Sequence, residues 1–491
     1  MSQQKSLGEL GLTARSGDAQ AQISAIALDS RQVKPGTLFA ALPGSLVHGA
    51  EFVDPALRMG ASAVLTDREG AKLAAEALAR HPDVALVVAE DARAALAMAA
   101  ALWFGAQPET MVAVTGTNGK TSVASFARQL WMSMGHAAIN VGTTGVEGAW
   151  ETALSHTTPD SVTLQSILAQ AAAEGVTHAA MEASSHGLDQ RRLEGVRLQA
   201  AGFTNLSQDH LDYHPTMEDY FEAKAGLFHR LLPDDGVAVI NTDDVWGARL
   251  AGMVAQRVLR VGQAVDCDLR IIAQRYSAQG QELRFALKGR PHHVHLPLVG
   301  GFQAWNALVA LGLVLATGAD AAEAITAMER LQGVRGRMQL AATRDNGAPV
   351  FVDYAHTPAA VETALTALRP HVMGRLIVVL GAGGDRDKGK RPLMGKAAAE
   401  NADVVIVTDD NPRSEVPATI RAEIVQACPD AIEVADRAEA ILRAVDALEP
   451  GDALLIAGKG HETGQIVGGT VYPFDDLEQA SVAVAALDGR L

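Results

Sequence analysis

Cysteine is nearly absent: Cys267 and Cys428 are the only two in 491 residues. They lie far apart, without metal-ligand spacing, which excludes a disulfide scaffold and points to a reducing compartment. Positive charge is in deficit, since 41 Lys and Arg against 57 Asp and Glu leave a formal charge of −16. That balance argues against duplex nucleic acid or an anionic membrane surface as the main partner. It does not exclude small anions, because one loop can bind phosphate inside an acidic protein. Long apolar runs are missing too. The longest, residues 94–106, is Ala-rich and well short of the about 20 residues that span a bilayer, so it reads as a buried helix. No basic stretch leads into an apolar segment after Met1-Ser2-Gln3-Gln4-Lys5, so neither a signal peptide nor membrane insertion is expected, and the location is expected to be cytoplasmic. Neither a fixed-period repeat nor a low-complexity tract is visible beyond Ala-rich helical stretches.

What is present describes a soluble globular chain, with 48% hydrophobic and 20% charged residues. Its length predicts about three domains. The first hundred residues mix short strands and helices, and Gln107-Pro108 marks a first boundary. Beyond it, apolar strands run into polar, Gly-rich loops. Residues 111–114 lead to Thr115-Gly116-Thr117-Asn118-Gly119-Lys120-Thr121, 178–181 to Glu182-Ala183-Ser184-Ser185-His186-Gly187, 200–203 to Thr204-Asn205-Leu206-Ser207-Gln208-Asp209-His210, and 237–240 to Asn241-Thr242-Asp243-Asp244. A second set begins near residue 340, with strands at 350–352, 376–380, 404–407 and 453–457. Continuous apolar strands separated by helices indicate buried parallel sheets. Ligands of such sheets bind beyond the carboxyl ends of the strands, so two α/β domains are expected to face one another across a cleft.

The loop at residues 115–121 is the physical recipe for a nucleotide phosphate site. Its glycines let backbone N–H groups converge, and the following helix N-terminus, with Ser122 in its first turn, adds a favourable dipole. Lys120 would neutralise the β- and γ-phosphates and Thr121 would ligate Mg²⁺. An ordinary P-loop has a glycine five residues before Gly119, where this chain has Val114; Gly116 supplies a shorter turn. Glu182 and His210 follow strands of the same domain. Taken alone, Glu182 is equally a helix cap and His210 a satisfied surface residue, but their placement at successive strand ends favours one nucleotide-bound Mg²⁺. Lys224 lies on a helix spanning residues 218–227, where a solvated lysine is the default.

Together these segments resemble the Mur ligase family, which builds the peptide of the peptidoglycan precursor and shares its fold with folylpolyglutamate synthases. The matching pieces are the loop at 115–121, Glu182-Ala183-Ser184-Ser185-His186, Thr204-Asn205-Leu206, Asp209-His210-Leu211-Asp212-Tyr213-His214, the Asn306 region, Arg335-Gly336-Arg337 and Asp353-Tyr354-Ala355-His356-Thr357-Pro358. The resemblance implies an α/β protein of three domains. These are a smaller N-terminal α/β domain for the UDP-sugar (1–107), a central P-loop-type ATPase domain with a parallel sheet (108–338), and a C-terminal Rossmann-like domain for the amino acid (339–491). It implies ATP and two Mg²⁺ ions, held by Thr121, Glu182, His210 and Lys224 as its carbamate. Lys120, Lys224, His210, Glu182 and Arg337 would be catalytic. Gly116, Thr117, Asn118, Gly119, Lys120, Thr121, Ser122, Asn306, Arg337, Asp353 and His356 would bind ATP.

Within the family, Asp410-Asn411-Pro412-Arg413 resembles the motif of members that add meso-2,6-diaminopimelate to UDP-N-acetylmuramoyl-L-alanyl-D-glutamate, through an acyl phosphate and with release of ADP and phosphate. Lysine-adding relatives usually carry a less basic version. Diaminopimelate differs from lysine by one carboxylate, which a guanidinium fork matches bidentately. Arg386 and Arg413 can supply such forks, and Glu462 can accept from an ammonium. Asp410, Asn411, Pro412 and Gly458 complete the implied set. For the sugar nucleotide the resemblance implies Leu28, Ser30, Ser45, Leu46 and Val47 at the uridine end, and Thr157, Thr158, Ser184, Gln190 and Arg192 along the muramoyl dipeptide. Two positions depart from the pattern: His48 stands where relatives often have an acid, and Gln339 replaces an acid that often follows Gly336-Arg337. A monomer is expected. The rivals are a lysine-adding or folylpolyglutamate-type ligase and, from another class, a P-loop switch that hydrolyses ATP without an amino-acid substrate.

Overall fold

The computed structural model describes residues 4–44, 47–154, 156–210, 213–277 and 280–490. Two compact units are present, Met1–Arg260 with Gly312–Ala319, and Val261–Leu311 with Asp320–Leu491. No described helix is long and apolar enough to cross a membrane.

Among its described residues the first unit has a short antiparallel pair, Lys5–Ser6 with Gln22–Ile23, and two larger sheets. The N-terminal one is a four-stranded parallel sheet in the order Ala25–Ala27, Thr37–Ala40, Ala61–Thr66, Ala85–Val88. Helix Ala92–Phe104 follows, capped by Asp91, which accepts from Ala94 N, and stopped at Gly105 in a positive-φ conformation. The expected buried helix is buried on one face only. Leu96, Ala97, Ala100 and Trp103 face the core, while Met98 and Leu102 remain exposed. The boundary residue Gln107 is anchored, not a loose linker. Its Nε2 donates to Gln165 Oε1 at 3.0 Å and to Gly195 O at 2.7 Å, and its Oε1 accepts from Arg197 N at 3.1 Å.

The central sheet places Thr110–Thr115 between His178–Glu182 and Ala200–Phe203, all parallel, with Ala138–Gly142 and Val237–Asn241 outside them. Val, Ala, Ile and Met fill most of these strands because both faces are buried, and apart from the buried Asn140 the polar residues gather at the strand ends. Register does the rest: Val114 lies opposite both Glu182 and Gly202, so the three following loops leave the sheet side by side.

In the second unit, Pro349–Asp353, Ala453–Ala457, Leu376–Leu380 and Val404–Val407 are successive parallel neighbours, with Gln339–Thr343 antiparallel on one edge. Asp353 pairs with Ala457, and Leu380 with Val407, so the polar loops after all four strands share one end of the sheet. The unit also contains an antiparallel meander, Leu269–Ser277, Gly280–Leu287 and Arg290–Leu296, which the sequence reading did not identify. Its strands bury one face and alternate with Arg, Glu and His on the other, so none of them presents a continuous apolar run.

Candidate active site

In the first unit the phosphate loop is a tight turn between strand and helix. A Cβ on Gly116, whose φ is +147°, would lie 1.9 Å from Thr204 Oγ1, so only glycine fits this approach. Gly119, at φ 88°, caps helix Lys120–Ser133. Val114 is a buried strand residue, which explains why the loop starts later than in an ordinary P-loop. Asn205 steadies the turn, with its Oδ1 accepting from Asn118 N at 3.1 Å and its backbone oxygen from Thr117 N at 2.8 Å. Lys120 Nζ folds back onto Gly116 O at 3.0 Å and Thr117 O at 2.8 Å.

Beside this loop lies the buried carboxylate of Glu182. Its Oε2 accepts from Thr121 Oγ1 at 3.1 Å and from Thr143 Oγ1 at 3.3 Å, and its Oε1 accepts from Thr143 N at 2.7 Å. A Cβ on Gly142 would come within 2.0 Å of Oε1, so a glycine is needed there to seat the carboxylate. Thr143, absent from the sequence reading, thus orients Glu182 and also pairs with Thr157 Oγ1 at 3.0 Å.

Lys224 sits on helix Met217–Gly226, capped by Thr216, and is not solvated: 1% of it is exposed. Nζ donates to Gly116 O at 2.7 Å and lies 4.6 Å from the centre of the Tyr220 ring. Burial first, and the charge of Lys120 second, push its pKa well below the ordinary lysine value, against a smaller opposing pull from Asp209. The same burial drives the Tyr220 hydroxyl up to about 12. His210 adopts φ 52° and keeps 43% of its side chain exposed, with Nε2 3.6 Å from Asp209 and its ring 5.0 Å from that of His186.

The residues implied for the muramoyl dipeptide come together around Thr158. Its Oγ1 donates to Glu182 O at 2.9 Å and accepts from Ser184 N at 3.1 Å. Arg192 donates to Thr158 O at 2.5 Å and to Gln190 Oε1 at 2.8 Å. The uridine-end residues lie in the N-terminal sheet region, where Leu28 and Val47 are exposed near the ends of the adjacent strands Ala25–Ala27 and Thr37–Ala40, and Ser30 opens the turn Ser30–Gln32. Ser45 and Leu46 lie outside the described residues. His48 has a structural task that accounts for its presence. Its Nδ1 accepts from Ala50 N at 3.0 Å, which leaves Nε2 to donate to Asp67 at 3.2 Å.

The second unit assembles its own set. The Arg337 guanidinium lies 4.9 Å from the centre of the Tyr354 ring, and Tyr354 packs between His356 and His461. Asp353 accepts from Met338 N at 2.6 Å, and burial raises its pKa against the opposing Arg337 charge. His356 Nδ1 donates to Tyr354 O at 2.8 Å, and burial lowers its pKa. Gln339 keeps the turn in place of the missing acid, its Oε1 accepting from Gly336 N at 2.8 Å. Asn306 is buried, with Nδ2 donating to Gln303 Oε1 at 3.0 Å.

Loops after different strands of that sheet bring Asp410, Asn411, Pro412, Arg413, Gly458 and Glu462 together. Arg413, at φ 52°, donates from Nη1 to Gly384 O at 2.7 Å. The hairpin of Gly464–Val467 and Thr470–Pro473 holds the motif in place. Ile466 O accepts from Arg413 N at 3.0 Å, Gly468 N donates to Arg413 O at 2.7 Å, and Gln465 Nε2 donates to Asp410 O at 2.7 Å. Asn411 Nδ2 donates to Glu462 Oε2 at 2.8 Å. Arg386 is exposed on the neighbouring loop, close enough to act electrostatically on Tyr354 and Lys390. Sequence alone assigns no role to Lys459, Lys390, Tyr354 or the hairpin, because a lysine or tyrosine carries no mark of its burial.

Three family models match the chain in order: the Mur ligase family catalytic domain at residues 22–103, the Mur ligase middle domain at 114–314, and the Mur ligase glutamate ligase domain at 336–460. Relatives named UDP-N-acetylmuramoyl-L-alanyl-D-glutamate--2,6-diaminopimelate ligase include one from Agrobacterium fabrum, 51% identical over 95% of this chain and 94% of its own. Another, from Rhizobium meliloti, is 51% identical over 98% of both chains. The chain belongs to the Mur ligase family. A solved structure of a ligase of the same name superimposes on this Mur ligase with a TM-score of 0.74 at 34% identity, covering 99% of each chain. The MurF ligase from Thermotoga maritima in complex with ADP shares the fold, with a TM-score of 0.61 at 18% identity over 95% of this chain and 98% of its own. The three-domain α/β architecture is that of the family.

Proposed function

We propose that this Mur ligase joins the D-glutamyl carboxylate of UDP-N-acetylmuramoyl-L-alanyl-D-glutamate to an amine of meso-2,6-diaminopimelate, through an acyl phosphate made at the expense of ATP. What supports this most directly is the convergence of Asn411 and Arg413, from the loop after Val404–Val407, with Glu462, from the loop after Ala453–Ala457. It offers a guanidinium to a carboxylate and a carboxylate to an ammonium, the two needs of an amino dicarboxylic acid. Asp410, Pro412, Gly458 and Arg386 are assigned to the same ligand.

The backbone N–H groups of Gly116–Gly119, with Lys120, Thr121 and Ser122, would hold the phosphates, and Asn306, Arg337, Asp353 and His356 are assigned to the nucleotide as well. Leu28, Ser30 and Val47, with Ser45 and Leu46, are assigned to the uridine end, and Thr157, Thr158, Ser184, Gln190 and Arg192 to the peptide. The division into domains at 107/108 and 338/339 belongs to the same proposal.

Among the described residues no group of three or more His, Cys, Asp or Glu side chains forms a metal cage. Mg²⁺ at a nucleotide keeps several waters and takes one or two carboxylates, so it needs no such cage. Thr121 Oγ1 and Glu182 Oε2, 3.1 Å apart, form such a hard-oxygen pair, and His210 with carbamylated Lys224 would complete a second position. Bound there, Mg²⁺ supplies charge neutralisation to the transferring phosphoryl group. Lys224 is suited to carbamylation because burial favours its neutral amine. The nitrogen lone pair adds to CO₂, an N–C bond forms, and the proton lost from nitrogen goes to solvent, leaving an anionic oxygen ligand.

Phosphate release measured with the UDP-dipeptide and ATP, scanned over diaminopimelate, lysine and glutamate, tests the proposal. Turnover should require diaminopimelate. Release at the same rate without any amino acid would point instead to a P-loop switch.

A further inference from the structure

The loop after strand Ala453–Ala457 contains a lysine that never reaches solvent. Lys459 is 0% exposed and lies between Gly458 and Gly460, both at positive φ. Its Nζ donates to Asn411 Oδ1 at 3.1 Å and to Glu462 Oε2 at 3.3 Å. Asn411 Nδ2 donates to the same Glu462 oxygen at 2.8 Å, and Asn411 Oδ1 also accepts from Ile466 N at 2.9 Å. The three side chains therefore close a ring.

That ring fixes the Asn411 amide. Flipping it would set an NH₂ group against the ammonium and an oxygen against the carboxylate, two repulsive contacts in place of two hydrogen bonds. It also engages only one oxygen of Glu462. Among the described residues no hydrogen bond to Oε1 is found, and the side chain is 34% exposed. Beneath the same loops a second buried cation, Arg437, pairs with Asp476 and donates to Ala457 O at 3.0 Å and Asp409 O at 3.4 Å, the residues just before Gly458 and Asp410. The loops are thus anchored independently of Lys459. What Lys459 adds is local: a positive charge and two directed N–H bonds to the two side chains that project from them.

A buried ammonium is a poor way to gain stability, since an apolar side chain of similar size often serves as well. It is an effective way to impose one orientation on polar neighbours. We propose that Lys459 is a positioning residue for amino-acid recognition. It locks Asn411, holds Glu462 by one oxygen, and leaves the other for the ammonium group of an incoming amino dicarboxylic acid. This deepens the assignment of Asn411 and Glu462 to the amino acid and rests on it.

The test uses the full-length enzyme, with phosphate release measured while each of the three substrates is varied in turn. Lys459→Met, Glu462→Gln and the double variant are compared with wild type, and Lys459→Gln takes the place of Lys459→Met if the latter does not fold. Lys459→Met should raise KM for diaminopimelate by on the order of tenfold while KM for ATP and for the UDP-dipeptide stays within about twofold. The double variant should be scarcely worse than Glu462→Gln alone, because both substitutions disable one interaction. Equal losses on all three substrates, or fully additive effects, would overturn the positioning role and leave Lys459 as a structural residue. A large effect of Glu462→Gln beside a silent Lys459→Met would sink this inference alone. An unchanged KM for diaminopimelate in Glu462→Gln would sink the assignment beneath it.

Discussion

Lys120 and Lys224 donate to the same acceptor, the carbonyl oxygen of Gly116, at 3.0 and 2.7 Å. Two ammonium groups on one oxygen repel each other, and the buried one yields. Lys224 loses its proton more readily than an ordinary lysine because it is buried, and more readily still because Lys120 is close by. A sequence position that reads as a solvated helix lysine is thus a buried amine at the edge of the phosphate loop.

Lys224→Ala should abolish ligation while leaving the fold intact, and short carboxylic acids added to the assay should restore part of the rate by standing in for the carbamate. Phosphate release with and without added acetate or propionate measures this. Wild-type activity in Lys224→Ala would end the carbamate role.

The same amine gives a pH signature in protein freed of CO₂. Between its lowered folded pKa and the ordinary value of 10.5 the unfolded chain binds one proton more than the native state. Stability therefore rises with pH across that window, by at most about 1.4 kcal/mol per unit from this group. Comparing urea midpoints between about pH 8 and about pH 9.5, Lys224→Met should show a shallower rise than wild type. Parallel curves would mean that the amine titrates normally.

Arg413→Ala should lower kcat/KM for diaminopimelate far more than for lysine, by roughly ten- to a hundredfold if one ligand carboxylate loses its partner. Competition between the two amino acids in one assay reads the ratio directly. Equal losses for both would make Arg413 a loop anchor through Gly384 O and not a selector.

The Arg437–Asp476 pair is wholly buried and doubly hydrogen-bonded, at 2.7 Å through each of Nε and Nη2. Arg437→Met leaves Asp476 unpaired and should cost about 3–5 kcal/mol in urea unfolding, whereas Arg437→Met with Asp476→Leu should recover most of that loss. A single variant as stable as wild type would contradict the role given to this pair.

The sequence by itself determined the parallel strands and the ends at which polar residues gather, because a strand buried on both faces must be continuously apolar and its loops must carry whatever is not. Strands 200–203, 376–380, 404–407 and 453–457 can be read off to the residue on that basis. The phosphate loop was equally legible, since an apolar strand, a Gly-rich turn, Lys120-Thr121 and a helix form one contiguous pattern. Lys224 as a ligand-forming residue came only from resemblance to a family, and the meander at 269–296 escaped altogether because one-faced strands alternate. The tertiary structure alone decided which polar residues are buried and with whom. It put Lys224 on Gly116 O, Thr143 on Glu182 and Lys459 between Asn411 and Glu462. Lysine looks the same in sequence whether it meets water or a carbonyl; its environment is made by strands brought together from distant parts of the chain, and that environment sets its charge and its chemistry.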